Sequence, residues 1–194
     1  MEVFAGASRA PGVSYTLRTA SLDGGPVRAT SGLRLMPDSS LAEAPVPHTL
    51  LVPGGHGTRG SHPELTAWLR VHAPEAERLV SVCTGALLLA EAGLLEGRRA
   101  TSHWLALEAL QEFGAEPTGE RVVFDGKYVT AAGVSSGIDM GLALLGRIAG
   151  DDTARSVQLL TEYDPQPPYD CGSPEKAPAA LVEEWRARSR HVIR

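Results

Sequence analysis

The sequence predicts an α/β protein: a three-layer sandwich in which helices cover both faces of a mostly parallel central sheet. Short apolar runs alternate with helix-like segments along the chain, which is typical of this class. Two of the runs, residues 48–55 and 78–83, are nearly continuously apolar, as parallel strands buried on both faces are. The 21 glycines and 14 prolines fall mostly between the runs, as short connections require.

The first half of the chain predicts three strands and one helix. Residues 13–20 alternate apolar and polar side chains with a period of two, the pattern of a strand. Residues 32–38 predict a shorter strand, and residues 48–55 predict a buried strand that ends in Pro-Gly-Gly. Residues 62–70 predict a helix because Pro63 stands near its start and apolar side chains share one face.

The second half continues the alternation of strands and helices. Residues 78–83 predict a buried strand, and a helix over residues 85–97 follows it at once, ended by a glycine signal. Asp125-Gly126 predicts a tight turn between two strands within residues 121–133. The other predicted elements are a short strand at 99–102, helices at 103–114, 136–150 (Ser136 as N-cap), 152–163 and 179–190, and a proline-rich loop at 164–178.

Size, charge and cysteine content restrict the protein class. The 194 residues, 43% of them hydrophobic, suit one domain spanning residues 1–194. The net charge is -5, with acidic and basic residues interleaved, so we expect no nucleic-acid partner. We also expect no membrane partner, because no apolar run approaches the roughly 20 residues of a bilayer span. The start lacks a signal-peptide pattern and two cysteines make no disulfide framework, so we expect a cytoplasmic protein.

Cys83 stands at the corner between a predicted strand and a predicted helix. Such a turn projects a nucleophile out of the sheet, and the helix start leaves backbone N–H groups without intrahelical partners. This positive end favours the thiolate form of a cysteine, and the Thr84 N–H can bind a developing anion. Considered alone, a cysteine before a helix is more often a small buried apolar residue.

The motif PGGHG at residues 53–57 supplies a second feature at a neighbouring strand end. Glycines let a backbone approach a ligand closely, so Gly54 or Gly55 together with Thr84 can form an oxyanion-type hole. His56 either lines the same pocket or faces solvent. A Pro-Gly-Gly sequence alone is only a turn, but ligands of parallel sheets bind beyond adjacent strand ends. Together the two motifs predict a reactive thiol.

Other polar residues carry weaker predictions. His103 is either a base near Cys83 or a hydrogen-bonded structural histidine beside Trp104. We assign no role to Asp139, His62 or Cys171. No spacing of His, Cys, Asp and Glu suggests a metal site, and no cofactor is expected. The loop over residues 164–174 either covers the pocket or a dimer partner, or is a rigid connector.

Three blocks of sequence resemble the ThiJ/PfpI superfamily: LLVPGGHG, SVCTGALLLAEAGLLEGRRATSHW and TAAGVSSGIDMGLALLGRIAG. They occur in family order over most of the chain, and the resemblance implies a flavodoxin-like, class I glutamine-amidotransferase-like fold. The CTG corner, RRATSHW and EYDPQPPYDCGSP are most similar to the isonitrile hydratase branch. Thr84 stands where many proteases and glyoxalase-like members have histidine.

The resemblance implies a reaction and its residues. Enzymes of this branch add water to an isocyanide to give an N-formamide. Cys83 thiolate would attack the terminal isocyanide carbon, a thioimidate would form, and water would release the formamide. The nitrogen side needs a proton, so a general acid is required. Thr84 would supply a backbone donor and a hydroxyl, and Gly55 would line the anion-binding side. A small-molecule substrate and a homodimer are further expectations.

The chain departs from the family pattern at its start. Members begin with an apolar strand and a loop that holds an Asp or Glu, just before a helix with a GPxEVF-like sequence. This sequence starts at MEVFAGA, inside that helix, and Glu2 lies after the acid's position. If the strand is missing only from the recorded start, we expect an ordinary enzyme. If it is lost, we expect weak or absent hydratase activity and an exposed gap in the sheet.

Two alternative functions remain open. The first is a non-enzymatic sensor or binding domain with a redox-sensitive Cys83. The second is a glyoxalase- or deglycase-like activity, which Thr84 in place of histidine disfavours. A similar domain heads some AraC-like regulators, but those carry a helix-turn-helix region afterwards. This sequence has one predicted helix there, so we expect no such region within it.

Overall fold

The computed structural model describes residues 1–189, in which strands and helices alternate as predicted. The strands are β1 (Ala20–Ser21), β2 (Val27–Arg28), β3 (Arg34–Leu35), β4 (Ser39–Ser40), β5 (Thr49–Val52), β6 (Arg78–Val82), β7 (Arg99–Ala100), β8 (Glu116–Pro117), β9 (Val122–Asp125) and β10 (Tyr128–Ala131). The α-helices are α1 (Glu2–Ala7), α2 (Pro63–His72), α3 (Gly85–Glu91), α4 (Leu107–Glu112), α5 (Ser136–Ala149), α6 (Asp151–Leu160) and α7 (Ala179–Ser189).

The central sheet has four strands in the order β5-β6-β10-β9. Strand β6 pairs in parallel with both β5 and β10, whereas β9 and β10 form an antiparallel hairpin. Gly126 occupies the hairpin turn with a φ of 59°, a conformation that glycine adopts at little cost. The carboxyl ends of β5, β6 and β10 therefore lie at one edge of the sheet, where α/β proteins bind their ligands.

Two apolar cores cover the two faces of this sheet. On one face, Leu50 and Val52 of β5 pack against helices α2, α3 and α4. On the other face, Val80 of β6 and Val129 of β10 pack against α5. Helices α1 and α6 complete this second layer through a small cluster that includes Val3 and Val157. The predicted three-layer α/β fold is confirmed.

The strand predicted over residues 13–20 is largely wrong. Only Ala20 belongs to a strand, the two-residue β1, which pairs in parallel with β4. The predicted alternation is nevertheless present as burial: Val13, Tyr15 and Leu17 are half-buried, and the residues between them are exposed. Tyr15 packs edge-on against Phe4 of α1, with 5.2 Å between ring centroids. The segment is extended and amphipathic, but among residues 1–189 no strand pairs with residues 13–19.

Strand β5 is less buried than its apolar sequence predicts. Its only strand partner among the described residues is β6, so its other edge is unpaired there. Leu51 is 42% exposed although it lies inside the strand, and Val52 is the one fully buried residue of the four. The continuous apolar pattern thus predicted the strand correctly and its burial on both faces incorrectly.

The helix predictions need smaller corrections. Ser136 is the first residue of α5 rather than its N-cap, and its hydroxyl donates to the Gly133 carbonyl. Helix α3 ends at Glu91, well before the predicted end at Gly97. The proline-rich segment between α6 and α7 is a loop, as predicted. Arg190, the last residue of the predicted final helix, lies outside the described residues. No helix of residues 1–189 is long and apolar enough to cross a membrane.

Candidate active site

Cys83 occupies a sharp turn between β6 and α3. Its φ of 59° lies in the left-handed region, which a residue with a side chain rarely adopts. The Cys83 N–H donates to the Ala131 and Ala132 carbonyls at 3.0 and 2.9 Å, and its own carbonyl accepts from the Ser102 hydroxyl at 2.8 Å. These contacts hold the strained backbone and fix the corner as a nucleophile elbow.

Two glycines allow the β5 loop to pack directly on this corner. A Cβ on Gly54 would lie 2.7 Å from the Cys83 Cβ and 2.7 Å from the Thr84 nitrogen. A Cβ on Gly85 would lie 2.2 Å from the Val52 carbonyl oxygen. Since real Cβ atoms almost never approach so closely, both positions require glycine. The two motifs predicted from sequence therefore meet in space.

The Thr84 hydroxyl ties the corner to the glycine loop. It accepts a hydrogen bond from the Gly55 N–H at 3.0 Å and lies 2.7 Å from the Thr58 hydroxyl. The Gly55 amide is therefore already paired within the protein. Among the described residues, the Gly54 and Thr84 amides have no protein acceptor. These two N–H groups are the donors that the corner can offer to a developing anion.

His103 is half-buried beside the same corner. Its Nδ1 accepts a hydrogen bond from the Leu105 N–H at 3.3 Å, so the proton of the neutral ring lies on Nε2. Burial lowers the pKa of His103 below its ordinary value, which favours this neutral form. The ring also packs against Gly133, the residue after the carbonyls that bind the Cys83 amide. In this state His103 offers a hydrogen-bond donor at Nε2 rather than a base.

One cavity of about 1350 Å³ brings the predicted site residues together. Its lining includes all six of them: Gly54, Gly55, His56, Cys83, Thr84 and His103. His56 is an exposed part of this lining, and its backbone N–H donates to the Thr30 hydroxyl at 3.0 Å. His56 thus lines the cavity and is also exposed to solvent, so its role stays a prediction.

The cavity also includes residues to which the sequence assigned no role. Glu2 lines it at the start of α1, and Cys171 lines it from the proline-rich loop. Helix α7 contributes Leu181 and Trp185. No local pattern marked these residues, because their position depends on how the loop and the last helix dock on the domain. Both cysteines are free, Cys83 half-buried and Cys171 exposed.

A polar cluster stands where the loop leaves α6. The Tyr163 hydroxyl donates to Asp139 of α5 at 2.8 Å, and the other oxygen of that carboxylate accepts from Arg121. Burial raises the pKa of Tyr163, and the hydrogen-bonded Asp139 carboxylate raises it further, so the phenol keeps its proton. Asp139 thus joins three elements around the loop. Among residues 1–189 no group of three His, Cys, Asp or Glu side chains is placed to hold a metal ion.

Comparison with known proteins agrees with this geometry. Residues 1–147 match the model of the DJ-1/PfpI family. The chain is 43% identical over 166 residues to the isonitrile hydratase of Pseudomonas putida, covering 84% of this chain and 73% of that protein. It is 38% identical over 146 residues to the HTH-type transcriptional regulator CdhR of Pseudomonas aeruginosa, covering 74% of this chain and 44% of the regulator.

A solved structure supports the same assignment. The crystal structure of a ThiJ/PfpI family protein from Pseudomonas syringae superposes with a TM-score of 0.87 at 32% sequence identity. The match covers 99% of this chain and 82% of that one. Sequence, fold and the nucleophile elbow at Cys83 lead to one conclusion: the chain belongs to the DJ-1/PfpI family.

Proposed function

We propose that the protein is a cysteine-dependent hydratase that converts an isocyanide and water into an N-formamide. The observation that carries the proposal is the Cys83 corner, where a strained cysteine opens onto a cavity beside two unpaired amides, those of Gly54 and Thr84. Similarity to the isonitrile hydratase of Pseudomonas putida supports this reaction class. The Thr84 hydroxyl, bonded to the Gly55 amide, positions the corner.

The proposed reaction proceeds through a covalent intermediate on Cys83. The thiolate attacks the terminal carbon of R–N≡C, forms a C–S bond and leaves a lone pair on that carbon. A proton at this carbon gives the thioimidate R–N=CH–S–Cys. Water then adds to the carbon as nitrogen takes up a proton. Cleavage of the C–S bond releases R–NH–CHO and regenerates the thiol.

The amides of Gly54 and Thr84 would stabilise the negative charge that develops during attack. In other enzymes one such donor contributes about 2.7–4 kcal/mol to the transition state. The Nε2–H of His103 would donate a hydrogen bond to the substrate nitrogen or to the attacking water. Glu2 also lines the cavity and is the second candidate for proton delivery. Paired Glu2→Gln and His103→Gln variants test the two side chains.

Formamide production from cyclohexyl isocyanide, followed by proton NMR, tests the hydratase directly. We expect steady turnover by the wild type and none above background by Cys83→Ala or Cys83→Ser. Cys171→Ser removes the other thiol of the chain and is expected to retain turnover. A rate that is equal in wild type and Cys83→Ser would exclude the proposed mechanism.

A second candidate function is a sensor or binding domain in which Cys83 is oxidised or binds a ligand without turnover. The similarity to CdhR favours it, although the chain covers only 44% of that regulator. Mild peroxide followed by peptide mass spectrometry should add oxygen at Cys83 under this function. If Cys83 resists both peroxide and alkylation, the sensor function fails.

The glyoxalase- or deglycase-like alternative has less support. Thr84 replaces the histidine that follows the nucleophile in many such relatives. Incubation with methylglyoxal tests it, since lactate formation that depends on Cys83 would favour this activity over the hydratase. Lactate formation that survives Cys83→Ser would dismiss it.

A homodimer in the cytoplasm is the assembly and location that we propose for the protein. The location is proposed because the chain has two cysteines and both are free. Sedimentation velocity at micromolar concentration tests the dimer, for which a single species near twice 20.5 kDa is expected. A species at 20.5 kDa across the concentration range would contradict it.

A further inference from the structure

Several large apolar side chains in the cavity lining are exposed. Phe113 is 42% exposed, Ile138 40%, Leu181 38% and Trp185 46%, and all four belong to the cavity that contains Cys83. Large exposed apolar side chains that line a cavity often belong to a surface that binds a ligand. Three of these lining residues, Phe113, Leu181 and Trp185, are here called the apolar wall.

Helix α7 also contacts the domain through residues outside the apolar wall. Val182 is its buried residue, only 8% exposed. The guanidinium carbon of Arg186 lies 5.9 Å from the centroid of the Trp104 ring, next to His103. Leu181 and Trp185 keep 38% and 46% of their surface exposed, so part of each side chain can contact a ligand in the cavity. The same docking places them in the cavity that Cys83 opens onto.

Charge and volume describe the ligand further. Among the described residues of the lining, the charged side chains are three carboxylates, Glu2, Glu91 and Glu112, and one guanidinium, Arg59, a balance that disfavours an acidic ligand. The volume of about 1350 Å³ exceeds the roughly 300–1,000 Å³ typical of sites for drug-sized molecules. A small isocyanide would leave most of this apolar surface in contact with water.

We propose that the apolar wall binds an extended uncharged alkyl or arylalkyl tail on the molecule whose reactive carbon reaches Cys83. The identity of the reactive group, an isocyanide, rests on the proposed function. The binding of the tail by the apolar wall does not depend on that function. Leu181 and Trp185 are specificity-determining residues in this account. Each methylene of the tail that leaves water should strengthen binding about fourfold, from the ~0.8 kcal/mol of a buried methylene.

Alkylation of Cys83 by N-methyl-, N-butyl- and N-octylmaleimide tests the tail site without requiring turnover. The parent protein carries Cys171→Ser, so that mass spectrometry follows one thiol, and each rate is divided by that of glutathione with the same reagent. We expect the relative rate to rise at least tenfold from methyl to octyl. The same rise in kcat/KM is expected along a series of alkyl isocyanides.

Leu181→Ser and Trp185→Ala, separately and together, should flatten the chain-length dependence, with the largest loss of relative rate for N-octylmaleimide. Val71→Ala is the matched control, because Val71 is 64% exposed on α2 and does not line the cavity. Melting curves check that each variant folds, and the more conservative Trp185→Phe should restore most of the dependence.

Two results would overturn the proposal. One is a relative alkylation rate that does not change with tail length in the parent protein. The other is a chain-length dependence that persists in the folded double variant. A second copy of the chain covering the apolar wall would give the first result. Failure of hydratase turnover with an intact maleimide dependence would reject the proposed function and leave the tail site standing.

Discussion

The Cα of Gly54 packs against Cys83 so closely that a methyl group on the glycine would lie 2.7 Å from the Cys83 Cβ. This contact joins the loop after β5 to the corner after β6. It also places the Gly54 backbone, whose amide has no acceptor among residues 1–189, beside Cys83. The relationship explains why a glycine-rich loop and a cysteine corner form one site although Gly54 and Cys83 are 29 positions apart in the sequence.

Gly54→Ala is expected to disrupt this contact. The added methyl meets backbone at Thr84 as well as the Cys83 side chain, so the neighbours cannot move aside cheaply. We expect a loss of about 1–3 kcal/mol in the free energy of unfolding, measured by urea denaturation, and slower alkylation of Cys83. Gly119→Ala is the control, since a Cβ there meets nothing within 4 Å. Equal stability of the two variants would contradict the packing described.

The Thr84 hydroxyl should be needed for the geometry of the corner. Thr84→Val keeps the shape of the side chain but leaves the Gly55 N–H and the Thr58 hydroxyl without their partner. We expect a loss of about 1–3 kcal/mol in the free energy of unfolding, from urea midpoints. Thr84→Ser keeps the hydroxyl and should retain most of the free energy of unfolding that Thr84→Val loses. If valine and serine behave alike, the hydroxyl has no structural role.

His103 should make stability depend on pH. Its pKa in the folded protein is lowered by burial, so the unfolded chain takes up a proton near pH 6.5 while the folded protein does not. The contribution of neutral His103 to the free energy of unfolding is therefore complete above about pH 6.5. It decreases as the pH falls from there to the pKa of His103 in the folded protein. His103→Asn should reduce the difference between urea midpoints at pH 7.5 and pH 5.5. An unchanged difference would show that His103 is not the source.

The contact between Tyr163 and Asp139 should restrain the proline-rich loop. Tyr163→Phe removes the hydroxyl that donates to the carboxylate at 2.8 Å. A hydrogen bond of about 0.5–1.5 kcal/mol corresponds to a roughly two- to tenfold faster opening of the loop. Limited trypsin cleavage after Lys176 measures this rate. Tyr169→Phe is the matched control, because Tyr169 is 78% exposed on the same loop, and it should not change the cleavage rate.

The sequence predicted the fold where the signal is local. Asp125-Gly126 identified the β9–β10 hairpin because the turn conformation is a property of those two residues. The strand predicted over residues 13–20 was wrong because an alternating pattern shows which side chains are buried. The pattern does not show whether a neighbouring strand is present. The predicted burial of Leu51 was wrong for a similar reason, since its exposure depends on what lies beside β5.

The site was predictable in its centre and not at its walls. Cys83 and Gly54 are marked by motifs whose chemistry requires those residue types. The positions of Cys171 and Trp185 depend on how a long loop and a final helix dock, and no short-range pattern encodes that docking. The single domain over residues 1–194 and the catalytic roles of Cys83, Thr84, Gly54, Gly55, His56 and His103 remain predictions.

The central claim is that Cys83 is the nucleophile, and rapid-quench mass spectrometry of the protein during turnover tests it most directly. We predict a transient adduct on the Cys83 peptide equal in mass to the whole isocyanide, because thiol addition loses no atoms. The adduct should appear before the formamide and should be absent from Cys83→Ser. Formamide formation at the wild-type rate without any adduct on Cys83, or with the adduct on Cys171, would contradict the claim.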